Sequence, residues 1–393
     1  MRLLYMAYRN MVTRPMASAL SILLALLGVA VVSLLLQSSQ AIEGQLGKNI
    51  KGIDMVVGAK GSPLSLILSS VYHIGPPNGN IPLEEANQLR SDPFVAKAIP
   101  LSFGDNYKGY RIVGSDHSYP EHYEVELAEG ELWQNEMEVV LGAQVAERVG
   151  LEMGSTFHGT HGLGVEGHGH EENDYKVVGI LNANGTVMDQ LILTGLSSVW
   201  SIHGDHEVDS THHREITAML IKFRSPMGMM TLPRKVNSTT SMQAALPAIE
   251  MNSLMSKLGV GMDTLRAIAF AIILVAGISV FVALFNALRE RRYEMALLRL
   301  LGMTPFKIFV LVLLEGSLIG LVGSLLGLLT GRIAMAVLSK QMEGSYHYDF
   351  ASAHFLNEEL MLVPAVMFIC IIAAIIPAIS AFRTDIAKTL SDA

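Results

Sequence analysis

NALRERRYEMALLRLLGMTPFKIFVLVLLEGSLIGLVGSLLG, residues 286–327, changes character midway. Within 289–307 the apolar residues Met295, Leu298, Leu301 and Gly302 recur at three- and four-residue spacing, while Arg292, Glu294 and Arg299 point elsewhere. That spacing predicts a short amphipathic helix lying under a membrane. From Ile308 the chain is almost continuously apolar, for longer than the roughly 20 residues a helix needs to cross a bilayer.

The same apolar signature occurs three more times, so that spans are expected at 16–36, 267–288, 308–332 and 360–382. Half of the 393 residues are apolar, 16% are charged and the mean hydropathy is +0.39, outside the soluble globular range. Lys and Arg set the orientation. Arg2, Arg9 and Arg14 precede the first span, Arg289, Arg291, Arg292, Arg299 and Lys307 fill the loop after the second, and Arg383 and Lys388 follow the fourth. Both termini and the 289–307 loop are therefore expected in the cytoplasm. The rest falls outside: a large α+β domain with helical stalks at 37–266, and a loop at 333–359. Segment 1–15 is then an amphipathic N-terminus and 383–393 a tail. All 13 histidines lie in outside segments. The first span is too long for a signal-peptide core and no A-x-A site follows it, so a retained anchor is expected. The single cysteine, Cys370, lies in the fourth span, which leaves the outer domain without disulfides.

The pattern R-x-x-E-x-A-L-L-R-x-L-G, here Arg291 to Gly302, resembles that of the FtsX-like (MacB-type) permeases of ABC transporters. EVVLGAQVAERVGLEMGSTF (138–157) and VVGILNANGTVMDQLILTGLSSVW (177–200) resemble segments of that family's periplasmic core domain. The closing FRTDIAKTL is similar too, with Ile386 where a proline is common. The resemblance implies a bacterial inner-membrane subunit with four transmembrane helices and a MacB-like domain between the first two. It also implies a homodimer driven by two copies of a separate ATPase, which dock through Arg289, Arg291, Arg292, Glu294, Arg299 and Gly302. A branch of such permeases appears alongside zinc-acquisition proteins.

The chain lacks a nucleotide site of its own. A phosphate loop needs G-x-x-x-x-G-K-[ST], and the nearest approach, GDNYKGYR at 104–111, has Tyr110 in place of the lysine. ATP and Mg²⁺ belong on the partner, and no nucleic-acid partner is expected. The 289–307 helix either docks in that partner or rests in the headgroups as an anchor. Gly316, Gly320, Gly323, Gly327 and Gly331 form a small-residue series suited to close helix packing. Glu315 is the one carboxylate well inside a span, and its depth suits a structural or coupling role in reach of cytoplasmic basic residues. Nothing else in the spans could hold a cation, which argues against an ion pathway.

In the outer domain YRIVG, EVVLG, YKVVGIL and QLILTG read as strands, and 84–91 and 143–149 as helices. The apolar run SPLSLILSSVYHIGPPNGNIP (62–82) is expected to supply a core strand, or else a hydrophobic partner surface. HGTHGLGVEGHGHEEND (158–174) carries His158, His161, His168 and His170, and HGDHEVDSTHH (203–213) carries His203, His206, His212 and His213. Imidazoles in such tracts suit reversible binding of Zn²⁺ or another divalent metal. A solvated loop and a pH sensor are the alternatives. The expected function is conformational work in the periplasm, linked to zinc and to a periplasmic or lipoprotein partner. Its rivals are lipoprotein or lipid extraction by the apolar 62–75 segment and a membrane-tethered zinc hydrolase, although no H-E-x-x-H motif is present.

Overall fold

The computed structural model describes residues 2–13, 15–160, 169–203, 214–346 and 356–382. Its helices are α1 Arg2–Thr13, α2 Pro15–Ile50, α3 Pro63–Ser70, α4 Leu83–Arg90, α5 Ser118–His122, α6 Ala143–Val149, α7 Leu196–His203, α8 Pro226–Thr239, α9 Pro247–Glu290, α10 Arg292–Leu300, α11 Pro305–Tyr346 and α12 Asn357–Phe382. Its strands are β1 Met55–Ala59, β2 Ile81–Pro82, β3 Val95–Tyr107, β4 Tyr110–Ser115, β5 Leu127–Gly130, β6 Glu138–Leu141, β7 Thr156–Thr160, β8 Gly169–Leu181, β9 Ile192–Gly195, β10 Glu215–Ile216, β11 Ala218–Phe223 and β12 Met242–Ala245. The chain divides into a membrane unit, Met1–Ile42 with Leu258–Ala393, and an outer unit, Glu43–Lys257.

In the outer unit one mixed sheet runs β12-β1-β11-β3-β4-β9-β6-β8-β5, with β7 pairing β3 and β8. β1, β4, β6 and β11 are Val-, Ile- and Leu-rich runs buried along nearly their whole length, which suits them to central places. β4 lies parallel to β9 and β6 parallel to β8, so the domain is a mixed α/β fold rather than a meander of hairpins. One core contains Val56, Ile67, Leu101, Val113, Tyr119 and Leu193; a second contains Met55, Val57, Ile81, Met219, Leu232 and Val236. The end of α2 is set into the first. Carbonyls near its end take side-chain donors from the domain. Tyr72 Oη donates to Leu46 O (3.0 Å), Tyr123 Oη to Asn49 O (2.9 Å), and Asn49 Oδ1 accepts the Val187 amide (2.9 Å).

Two sequence expectations change here. The 62–82 run supplies a helix, α3, rather than a core strand. Ser62 caps it by accepting the Ser65 amide, and Pro63 takes the first helical position, where a missing N–H costs nothing. Burial is as expected: Leu66 and Ile67 are enclosed in the domain core, and Leu64, Leu68 and Ile74 pack against it partly buried. The stalk expected at 37–57 ends at Ile50, because Gly52 turns at φ +79° and β1 begins at Met55. The one expected at 240–266 starts only at Pro247, after β12.

The membrane unit holds α1, α10, α11, α12 and the adjoining parts of α2 and α9. Among the described residues four helices, α2, α9, α11 and α12, are long and apolar enough to span a bilayer. They share a core of Ala25, Val29, Val280, Leu284, Val312, Ile319, Cys370 and Ala374. α11 continues to Tyr346, well past the expected span end at 332. Residues 347–355 and the 383–393 tail lie outside the described residues.

Candidate functional sites

The loop between α9 and α11 is built as a capped helix. Arg291 stands at the N-cap of α10, and its guanidinium reaches Thr13 Oγ1 of α1 at 2.5 Å and lies 3.8 Å from Glu294. At the other end Gly302 adopts φ +93°. The Gly302 amide bonds to Arg299 O (3.1 Å) and the Met303 amide to Leu298 O (3.0 Å), the paired bonds of a Schellman stop, which needs a left-handed residue at that point. Among the described residues of the helix Ala296 is fully buried, and Met295 and Met303 pack on the membrane core. Leu301, expected on the buried face, is 77% exposed because the chain leaves the helix there. Leu297, Leu300 and Phe306 are exposed as well, so the helix carries an apolar rim. Arg289 and Glu294 are exposed and Arg299 is half-buried, whereas the Arg292 side chain is outside the described set.

Glu315 is half-buried and accepts the side-chain amide of Asn10 from α1. The glycines of α11 serve two neighbours. A Cβ on Gly316 would lie 2.9 Å from Ala374 Cβ and one on Gly320 3.1 Å from Cys370 Cβ, both on α12. One on Gly323 would lie 2.7 Å from Ala25 Cβ and one on Gly327 2.6 Å from Val29 Cβ, while one on Gly331 would sit 3.0 Å from Ser33 Cβ, all three on α2. The sequence reading missed a polar cluster beside the last of these contacts. Glu359 of α12 is wholly buried; its carboxylate accepts Ser33 Oγ (2.6 Å), Arg332 Nη2 (3.1 Å) and the Leu356 amide (3.2 Å). In the sequence nothing separates this Glu-Glu pair from ordinary charge at a helix start.

In the outer unit the GDNYKGYR segment forms the β3–β4 hairpin, with Lys108 at φ +50° and Gly109 at φ +87°. Two consecutive left-handed residues make the tight turn of a hairpin, not a phosphate cradle. His158 Nδ1 lies 2.7 Å from Asp174 Oδ1 across the β7–β8 pair. His170 and His203 fall in β8 and α7 with side chains outside the described set, and His161, His168, His206, His212 and His213 lie outside the described residues altogether. Among the described residues no three His, Cys, Asp or Glu side chains group closely enough to hold a metal. His73, at φ +55°, is half-buried beside Phe103 and bonded to Tyr119 Oη (2.8 Å). Burial, and then the nearby Arg111 cation, hold its imidazole well below the ordinary histidine value. Arg111 places its guanidinium over Phe103 and donates to Ser69 O and Gly75 O; burial lowers its pKa to about 10.

Two family descriptions match the chain: the MacB-like periplasmic core domain over residues 18–249 and the FtsX-like permease C-terminal region over 266–386. Among solved structures, the periplasmic region of MacB from Actinobacillus actinomycetemcomitans is 14% identical, with a TM-score of 0.35 over 53% of this chain and 97% of that one. The extracellular domain of the noncanonic ABC-type transporter YknZ from Gram-positive bacteria is 12% identical, with a TM-score of 0.32 over 48% of this chain and 98% of that one. No curated protein matches.

Proposed function

The chain belongs to the ABC transporter permeases with a MacB-like periplasmic core domain and an FtsX-like C-terminal region, and from that premise we propose that it couples a separate ATPase to conformational work outside the membrane. Permeases of this family are generally non-catalytic. The observation that carries the coupling is the exposed apolar rim of α10, Leu297, Leu300 and Leu301, on a helix fixed at both ends by Arg291 and Gly302. Apolar side chains presented on a helix stopped at Gly302 and tied to α1 through Arg291 suit a groove of a partner better than open water. Two permease copies with two ATPase subunits, cytoplasmic termini and an outer domain facing a periplasmic or lipoprotein partner complete the reading. Arg299→Glu with Leu300→Asp tests it: the ATPase rate of the assembled complex should fall several-fold, and an unchanged rate removes the docking role.

The outer work is linked to zinc in this reading, supported by the histidine content of 158–174 and by the His158–Asp174 contact. A carboxylate on Nδ1 sets the imidazole tautomer and leaves Nε2 as the ligand atom, as in many metal sites. The reading does not make the chain an importer of the metal. Lipid extraction through 62–75 is less well supported, since Leu66 and Ile67 lie in the domain core.

A further inference from the structure

We propose that Glu359 is a positioning residue of this transmission, holding α2 in one of two axial registers on α11, one helical turn apart. Ser33 is its donor in the observed register and Gln37 in the other. The proposal rests on the reading of the chain as an ATP-driven permease.

Three observations carry it. The first is the chemistry of the cluster. Glu359 is wholly buried, Ser33 is wholly buried and Gln37 nearly so, and the carboxylate is bonded to Ser33 as well as to Arg332. A buried carboxylate paired to a partly exposed arginine often stabilises no better than apolar residues of the same volume, so its presence at the end of a membrane helix points to a selecting role. The second is the seam itself. Gly323, Gly327 and Gly331 on α11 face Ala25, Val29 and Ser33 on α2, and both series repeat every four residues. The α2 series continues with the same buried character to Ser21 on one side and Gln37 on the other. A displacement of four residues therefore again sets three positions of the α2 series opposite the three glycines, the condition for a one-turn ratchet.

The third observation sets the direction. If α2 moves one turn toward its own N-terminus, Val29, Ser33 and Gln37 come opposite the three glycines, and the Gln37 amide arrives where Ser33 Oγ now meets the carboxylate. The opposite movement brings Val29 there, which has no donor. In the observed register Gln37 waits one turn away, its Nε2 donating to Ser33 Oγ (3.0 Å) and Ser33 O (3.3 Å).

The test places spin labels at Leu20→Cys on α2 and Leu338→Cys on α11, both exposed, in a Cys370→Ala background. The full chain with its ATPase is held in lipid nanodiscs, one labelled copy per complex, without nucleotide and with ATP and vanadate. The expected result is a second population about 5 Å longer, one helical turn, in one nucleotide state. Gln37→Leu should abolish that population and Gln37→Ser, which returns a hydroxyl, should restore it; a packing role alone would weaken both registers alike. A single distance in every state, with Arg299→Glu still slowing the ATPase, overturns the register shift and leaves the coupling reading standing. A single distance with an ATPase indifferent to Arg299→Glu overturns both. A long population that survives Gln37→Leu overturns the assignment to Glu359 and Gln37.

Discussion

Asn10, in the amphipathic N-terminal helix, donates its side-chain amide to the carboxylate of Glu315 inside the third long helix. With Arg291 bonded to Thr13, the same short helix is tied to α11 and to the start of α10. Asn10→Ala should loosen α1 by about 1.4 kcal/mol, roughly a tenfold loss of amide-exchange protection across residues 2–13, with α12 unaffected. Equal protection in both proteins would reduce the contact to incidental packing.

Gly302→Ala forces a Cβ into a left-handed backbone at a cost of about 1–2 kcal/mol, without touching any neighbour. The stop of α10 should fray while the spans stay folded. In the assembled complex the ATPase rate should drop for alanine and recover with Gly302→Asn, which tolerates this conformation better.

Gly327→Val would drive its Cβ to 2.6 Å from Val29 Cβ and 2.8 Å from Leu26 O, separating α2 from α11. Overpacking of this kind costs about 1–3 kcal/mol. Thermal unfolding in detergent should fall accordingly. Gly259→Ala in α9 meets nothing within 4 Å and should instead stabilise by about 0.5–1 kcal/mol.

Acid should weaken the outer unit through His73 and, in lesser part, His122, both depressed mainly by burial. The unfolded chain binds a proton near the ordinary value of 6.5 that the folded imidazole refuses. Stability is thus complete above that pH and declines below it, by up to about 1.4 kcal/mol per pH unit for His73, with a smaller share from the more exposed His122. His73→Asn keeps a residue suited to the positive φ and removes the titration. Exchange-monitored unfolding between pH 7.5 and 5.5 should show a shallower decline in that variant; an identical slope would assign the acid sensitivity elsewhere.

Calorimetric titration of Zn²⁺ into the full chain should show saturable binding that is lost when 158–172 is replaced by a Ser/Gly linker. His158→Ala should weaken it and Asp174→Asn should weaken it less, because the carboxylate acts through the imidazole. Equal heats for the linker variant and the parent would make the tract a solvated insertion.

The four membrane helices were legible because uninterrupted apolar runs have few other destinies. The stop at Gly302 was not read: the spacing counted Gly302 among the periodic residues of a helix over 289–307, whereas the helix ends at Leu300, although glycine after a periodic stretch has a backbone reason. Residues 62–82 misled because a short apolar run does not separate helix from strand, although the Ser62-Pro63 cap was in plain view. The Arg332–Glu359–Ser33 cluster was not legible at all: each member reads as an ordinary residue at a span end, and only the packing of three helices brings them together. Nor could glycine spacing alone show that Gly316 and Gly320 serve α12 while Gly323 and Gly327 serve α2.

The socket that Tyr72 and Tyr123 form around the end of α2 also bears on how the protein is made. The same core takes Leu46 and Ile50 from α2 and Met251 and Leu254 from α9, partners about 200 residues apart in synthesis. The first anchor therefore enters the bilayer long before the domain that grips it can close, and a half-built apolar core waits for the second anchor to emerge. Lesions that slow the arrival of 247–257 should be felt as degradation of the nascent chain, even where the finished protein tolerates them.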